Sequence, residues 1–291
     1  MPPSTNGKTA RGANSFALAS AAIALVLCIH IGCATYTLQL PPPEGHPVEL
    51  DTLEDAAALL SSRYGKMRSL KASGEMHTRF PNEEHWRQTS FALIAEKPAR
   101  VRMRVYRPLV PTLFDFSSDG RSCWLFIPAD KTAYHNEGCE SLSVGGNYVI
   151  PSTETIVSAL FVVPQPEELA SGHTILTQEP DFVRLEWREE TGVRKQIWVR
   201  ASTGLVARQV FTGPEDTQLA DITYTEYTSV DGTAVPVALE VSLPSIGAAL
   251  TLRIQKVEVN TTVSPEAFSF FPPSGTRILE STSSAESFHA E

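Results

Sequence analysis

Apolar and basic side chains alternate strictly in Arg100-Val101-Arg102-Met103-Arg104-Val105. Successive side chains of a β-strand point to opposite faces, so the apolar residues of this stretch share one face and the arginines share the other. The pattern predicts a half-buried antiparallel strand and not a basic arm that binds nucleic acid. The same alternation returns in residues 183–187 and 193–199.

Turn dipeptides separate the alternating stretches and indicate hairpins. They are Asp119-Gly120, Thr191-Gly192, Thr203-Gly204 and Asp231-Gly232. The chain has 291 residues, 42% of them hydrophobic, which is enough for one sizeable core. The sequence therefore predicts an α+β domain over residues 50–279, with a strongly curved antiparallel sheet of about ten strands that forms an unclosed β-barrel. Helices would cover its open side, and residues 280–291 would form a flexible acidic tail.

A first helix is predicted before the sheet, because apolar residues recur there every three or four positions. They are Leu50, Leu53, Ala57, Leu60 and Tyr64. Asp51 and Glu54 have the spacing of a capping box, and Gly65 is suited to end the helix.

A second segment, residues 152–163, lies between Pro151 and Pro164 and is apolar almost all round. As a helix it must be buried on most sides, by protein or by a ligand. Its β-branched residues leave a strand as the alternative.

The N-terminus has the layout of a signal peptide: Lys8 and Arg11, no acidic residue, then an apolar run over residues 16–29. The run is shorter than the roughly twenty residues that span a bilayer. His30-Ile31-Gly32-Cys33 resembles a bacterial lipobox, although His30 stands where leucine is usual. The resemblance implies that residues 1–32 are removed and that Cys33 carries the lipid anchor. An ordinary secretory signal and an uncleaved anchor are the alternatives.

Residues 33–49 are rich in proline and predict an extended tether. Ala34 follows the lipidated cysteine where an inner-membrane lipoprotein would have aspartate, so the resemblance implies the periplasmic face of the outer membrane. Inner-membrane anchoring and a soluble periplasmic form remain alternatives.

Charge and motifs argue against several classes of protein. The 33 acidic and 24 basic residues give a formal net charge of -9, which disfavours nucleic acid as a partner. The sequence contains no G-x-S-x-G, phosphate loop or H-E-x-x-H, so we predict no catalytic residue, no cofactor and no metal. An envelope hydrolase is the weakest reading. Cys123 and Cys139 flank two strand-like runs and would form a disulfide between neighbouring strands or remain two separate buried thiols.

Three sets of motifs, in order along residues 50–279, resemble the bacterial lipoprotein-localisation carrier and receptor (LolA/LolB-like) superfamily. Residues 61–80 are similar to its first helix and strand. Residues 96–102 and 118–128 are similar to its basic-Pro strand start and its D-G-x-x-x-W hairpin, and residues 268–275 to its closing F-x-F-x-P-P-x-G.

The resemblance implies an unclosed barrel around an apolar cavity for acyl chains. We expect Val101, Met103, Val105, Ile156, Leu160 and Phe161 to line it, although each could be ordinary core. Carrier members have a latch arginine before a proline, a position that Lys97 or Arg107 would hold here. Lysine has no planar guanidinium, so a latch at Lys97 would be weaker or absent.

Receptor members also carry an exposed apolar loop, for which the candidates are Leu109, Val110, Leu113 and Phe114. An ordinary strand after a proline turn is the alternative. The leading hypothesis is an envelope lipoprotein, not an enzyme, that binds lipid or the acyl chains of another lipoprotein during transport or membrane insertion. The alternative is an envelope scaffold whose own side chains fill the barrel; no protein partner can be named.

Overall fold

The computed structural model describes residues 45, 47–81, 84–107, 112–139, 142–144, 148–162, 174–189 and 192–281. The signal, Cys33 and most of the predicted tether lie outside these residues, as does the predicted tail after Ser281. The last part of the tether is described: the Val48 N–H donates to the Ala201 carbonyl, 2.9 Å away.

One curved, unclosed sheet of 14 strands dominates the described residues. Along the sheet the order is β16-β6-β5-β4-β3-β2-β1-β15-β14-β13-β12-β11-β10-β9, and β7 and β8 form a separate hairpin. Neighbours are antiparallel except for β16, which is parallel to β6. The strands are β1 Ser69–Arg79, β2 Arg87–Glu96, β3 Arg100–Tyr106, β4 Phe114–Asp119, β5 Ser122–Ile127, β6 Thr132–Glu137, β7 Leu142–Val144, β8 Tyr148–Ile150, β9 Ile175–Gln178, β10 Phe182–Arg188, β11 Arg194–Arg200, β12 Leu205–Thr212, β13 Gln218–Val230, β14 Thr233–Leu243, β15 Ala248–Val259 and β16 Arg277–Glu280.

The fold class is as predicted, but the sheet has more strands than the ten expected. Two of the additional strands, β9 and β16, have only four residues each and lie at the two ends of the sheet. Glu280, placed in the tail by the sequence analysis, ends β16. Its neighbour Ser281 donates from its N–H to the His135 carbonyl at 2.7 Å, which extends the contact with β6.

The two described helices are α1, Leu53–Tyr64, and α2, Thr153–Phe161. In α1 the cap is one residue later than predicted: Thr52 accepts from the Asp55 N–H and donates to the Asp55 carboxylate. The hydroxyl of Thr52 therefore takes the place assigned to Asp51. The apolar segment before Pro164 is helical, as expected, and not a strand.

Both helices cover the same face of the sheet, which we call the inner face. Met76, Leu252, Leu239 and Tyr224 lie directly opposite one another on β1, β15, β14 and β13, so their side chains share a face. Tyr224 and Leu239 belong to the cluster under α1, and Met76 belongs to the cluster under α2. One continuous apolar surface therefore serves both helices.

The opposite, outer face carries Arg102 and Trp124 and is crossed by the residues that follow β15. Arg102 donates to the carbonyls of Ala267 and Ser269, each at 3.1 Å. Phe270 contacts the rings of Trp124 and Phe126. The closing motif of the sequence thus packs on the outer face, on the other side of the sheet from α2.

Candidate functional site

The candidate site is the inner face beneath α2. Val101, Met103 and Val105 alternate with outward-facing arginines on β3, as predicted, and point to this face. Val101 and Val105 are each 1% exposed, whereas Met103 is only partly buried. Their register partners on β2 are Ala95, Leu93 and Phe91, which extend the apolar surface.

A side-chain cap and an acidic residue stabilise the start of helix α2. The Ser152 hydroxyl accepts from the Thr155 N–H at 3.1 Å, and Glu154 in the first turn is favourable near the positive end of the helix dipole. The helix ends at Phe161, where Val162 takes a left-handed conformation with φ of 66°. The short helix then presents Val157, Leu160 and Phe161 to the sheet.

Four of the six predicted lining residues, Val101, Val105, Leu160 and Phe161, belong to one buried hydrophobic cluster, and the other two, Met103 and Ile156, are partly buried against it. Partly buried apolar side chains surround this cluster and form what we call the apolar rim. They are Met103, Leu113, Phe114, Ile127, Tyr134, Val144, Ile150 and Ile156. The site is therefore packed at its centre and apolar where it meets solvent.

Two hydrogen bonds fasten the ends of α2. The Tyr224 hydroxyl donates to the Ala159 carbonyl at 2.6 Å, and the Thr153 N–H donates to the Cys139 carbonyl at 3.3 Å. Burial raises the pKa of Tyr224 well above its usual value, so the hydroxyl remains a donor throughout the physiological range.

Of the two latch candidates, the structure places Lys97 against α2. Its Nζ lies 5.4 Å from the centre of the Phe161 ring, a cation–π distance, and burial lowers the pKa of this lysine. Arg107 is exposed, just after the end of β3.

The predicted apolar loop is only half described, since Leu109 and Val110 lie outside the described residues. Leu113 and Phe114 are partly buried and pack against the cluster under α2, because Phe114 already begins β4. These two residues do not form the expected exposed loop: Phe114 begins the alternative, a strand, and Leu113 directly precedes it, with its N–H donating to the Val105 carbonyl at 2.7 Å. Exposed aromatic side chains occur nearby instead, at Phe80, Trp86 and Tyr106.

Cys123 and Cys139 are both buried free thiols in the structure. Both belong to the hydrophobic cluster under α2, and the hydroxyl of Ser118, the register partner of Cys123, lies 3.4 Å from the Cys139 sulfur. The sequence analysis identified the pair but not its proximity to α2.

Sequence reasoning missed Tyr224 and Val157 as contacts of the site. Val157 could have been found, since it lies one residue from Ile156 in the same apolar helix. Tyr224 could not, because its bond to Ala159 joins residues 65 positions apart.

Among the described residues, no group of three or more His, Cys, Asp or Glu side chains is arranged to hold a metal ion. The larger of two described grooves has a volume of about 460 Å³ and lies on the outer face, between Lys71, Ile94 and Arg104. Among the described residues, the arrangement beneath α2 is mainly an apolar contact surface, which also includes the thiols of Cys123 and Cys139.

No protein-family model matches the chain, and no curated protein sequence matches it. Solved structures do resemble it. A DUF1329 family protein from Desulfovibrio piger has a TM-score of 0.54 at 16% identity, covering 75% of this chain and 95% of its own. A LolA superfamily protein from Nitrosomonas europaea has a TM-score of 0.50 at 12% identity, covering 75% and 98%.

A candidate outer-membrane lipoprotein-sorting domain from Vibrio parahaemolyticus is similar to the same degree. Its TM-score is 0.50 at 14% identity, and the match covers 74% of this chain and 95% of that domain. Identities this low speak for the fold and not for the activity. The chain has a LolA/LolB-like fold, an unclosed barrel of antiparallel strands with helices on its inner face.

Proposed function

We propose that this protein is a cell-envelope lipoprotein that binds lipid, or the acyl chains of another lipoprotein, between α2 and the inner face of β1–β5. The observation that carries the proposal is the apolar rim around a cluster closed by one short helix. Binding involves no bond chemistry. The similarity to a LolA superfamily protein and to a lipoprotein-sorting domain supports a role in transport or membrane insertion.

Binding requires α2 to move, because its side chains fill the centre of the site. Burying apolar area contributes roughly 25 cal/mol per Å². An acyl chain that takes the place of Val157, Leu160 and Phe161 therefore recovers the free energy of burial that is lost when these side chains leave the site. The remaining cost is the loss of the fastenings at Tyr224, Thr153 and Lys97, each of which contributes about 1 kcal/mol. A long acyl chain gains about 0.8 kcal/mol per buried methylene, so the exchange can favour the ligand.

Lys97 is the latch residue in this proposal. Its ammonium group contacts the Phe161 ring and not a backbone carbonyl, so it holds the helix without the planar bidentate contact that arginine would provide. The weaker fastening suits a site that must open and close.

Membrane attachment in this proposal has two parts. Cys33 carries the acyl anchor, and Ala34 directs the protein to the periplasmic face of the outer membrane, with inner-membrane anchoring and a soluble form as alternatives. Phe80, Trp86 and Tyr106 form an exposed aromatic patch at one end of β1–β3, and aromatic side chains of this kind favour the membrane interface. Neither described helix is long and apolar enough to span a membrane.

The test uses the full chain carrying Cys33→Ala, so that its own anchor does not occupy the site. We expect it to bind 11-(dansylamino)undecanoic acid, a fluorescent fatty acid, with an increase in emission that palmitate reverses. Ile156→Trp, which enlarges a side chain of the rim, should reduce the bound fraction at least fivefold. Val241→Trp, a matched enlargement beside the cluster under α1, should not.

The scaffold hypothesis predicts the opposite result and is favoured by one observation, the near-complete burial of Val101, Val105 and Phe161. If neither the unsubstituted site nor the Val241→Trp chain binds the probe, the carrier proposal fails. The barrel would then be a self-filled core that acts through protein contacts.

A further inference from the structure

A pair of buried thiols lies at the start of α2. Cys123 is 2% exposed on β5, and Cys139, which follows β6, is 4% exposed. Ser118 on β4 pairs directly with Cys123, and its hydroxyl lies 3.4 Å from the Cys139 sulfur. Ser118 is therefore next to both cysteines, and both belong to the hydrophobic cluster under α2.

Cys139 is also the point at which α2 meets the sheet. Its carbonyl accepts from the N–H of Thr153, the first residue of the helix, at 3.3 Å. Gly138, beside it, donates from its N–H to the Arg121 carbonyl at 2.7 Å. Whatever holds Cys139 in place therefore holds the start of α2.

We infer that Cys123 and Cys139 form a disulfide when the protein is exported, and that this bond fixes the start of α2 to β5. The site could then open only at the Phe161 end of the helix. The role of the bond in opening rests on the proposed function, whereas its formation does not. An oxidising compartment is the setting in which such bonds persist.

The reaction requires an oxidant, which we assign to a thiol–disulfide oxidoreductase in its disulfide form. We assign the first attack to Cys139, which loses its proton and reacts as a thiolate during folding, before its sulfur is buried. Its sulfur forms a mixed disulfide and releases one oxidant thiolate. Cys123 then loses its proton and attacks the Cys139 sulfur, which releases the second thiolate. The two cysteines lose two electrons and two protons, and the oxidant gains them.

Peptide mapping tests the bond in the unmodified full chain. The protein is isolated from the cell envelope, quenched in acid, alkylated under denaturing conditions without reductant, and digested with trypsin. Cleavage after Arg121, Lys131 and Arg184 places the two cysteines in peptides 122–131 and 132–184. We expect these peptides to be joined and to separate on reduction. Recovery of both as alkylated, unlinked peptides would overturn the inference.

Thermal unfolding measures how much the disulfide stabilises the fold. Closing a loop of this length lowers the entropy of the unfolded chain, and the reductant should lower Tm by roughly 6–12 °C. Cys123→Ser should remove this response to reductant. If that variant does not fold, the comparison of oxidised and reduced wild type still decides the question.

Hydrogen exchange then tests the effect on the helix. Amides of α2 near Thr153 should exchange at least fivefold more slowly in the oxidised protein than in the reduced protein. Equal rates in the two forms would contradict the role assigned to the bond. A linked peptide together with absent fatty-acid binding would instead contradict the proposed function and leave the disulfide standing.

Discussion

Tyr224 is the residue that ties α2 to the other half of the barrel. It lies in the cluster under α1, yet its hydroxyl bonds to the carbonyl of Ala159 in the last turn of α2. That carbonyl is close to the helix end, where intrahelical donors run out. Tyr224 therefore links the last turn of α2 to the cluster under α1.

Replacing Tyr224 by Phe should lower the free energy of unfolding by about 1–2 kcal/mol, because a buried carbonyl loses its donor while the ring still fills its place. Amides at the C-terminal end of α2 should exchange faster. Tyr227→Phe is the matched control, since Tyr227 donates an equivalent bond to the Val206 carbonyl, away from α2. Equal acceleration of α2 exchange in both variants would show that Tyr224 is not a specific fastening.

The ionisation of Lys97 should make the stability of the fold depend on pH. Burial lowers its pKa in the folded state, so between that value and 10.5 the unfolded chain binds more protons than the folded chain. The contribution of Lys97 to stability should therefore rise with pH across this window, and the rise should be complete above it. Denaturant titrations that extend through pH 10.5 should show a smaller rise for Lys97→Met than for wild type.

The variant Lys97→Arg distinguishes the effect of a positive charge at this position from the effect of losing that charge at high pH. Arginine keeps its charge over the whole range, so this variant should retain a cation beside Phe161 but lose the rise of stability with pH. A rise as large as that of wild type in either variant would mean that another group titrates in this window.

At the scale of elements, the β-bulge between β1 and β15 depends on Gly74. The register of β1 against β15 shifts between Ser73 and Gly74, which is a β-bulge. A Cβ atom on Gly74 would overlap the carbonyl oxygen of Arg253 on β15. This position therefore requires a residue without a side chain.

Gly74→Ala should destabilise the fold by about 2–4 kcal/mol, because the two central strands would have to separate at the bulge. Ser73→Ala, one position away on the outer face, should change stability by less than about 0.5 kcal/mol. Urea unfolding of both variants makes the comparison. A Gly74→Ala protein as stable as Ser73→Ala would show that the strands can adjust at the bulge.

The elements that could be predicted from the sequence are those with a local pattern. Alternation identified β3, β10 and β11, and the four glycine dipeptides mark turns between strands. The α1 cap was placed one residue early, because Asp51 and Thr52 are both capable caps and only the hydrogen bond to Asp55 distinguishes them. Short end strands such as β9 and β16 have no alternation of their own and depend on a partner strand.

The residues that line the candidate site could be predicted from the sequence, whereas the contacts that hold α2 in place could not. Val101, Met103 and Val105 follow from strand period and α2 from its apolar composition. The contacts of Tyr224 with Ala159 and of Lys97 with Phe161 join segments that are distant in sequence, so they depend on which strands become neighbours.

At the scale of the whole molecule, Val48, at the described end of the tether, and the aromatic patch lie at opposite ends of the strands. The Val48 N–H donates to the carbonyl of Ala201, in the turn between β11 and β12. Strand directions place that turn at one end and the β1–β2 turn, with Phe80 and Trp86, at the other.

The two membrane contacts should be separable by substitution in the full chain. Cys33→Ala removes the acyl anchor and should move most of the protein from the membrane fraction to the soluble fraction, since stable attachment depends on the buried acyl methylenes. Cys28→Ala is the control, because Cys28 lies in the segment expected to be removed. The fraction of Cys33→Ala protein that still sediments with membranes should decrease further when Trp86, which is 45% exposed, is replaced by Ser. If Cys33→Ala together with Trp86→Ser sediments with membranes as fully as wild type, then neither contact holds the protein there, and the lipobox reading of residues 30–33 is wrong.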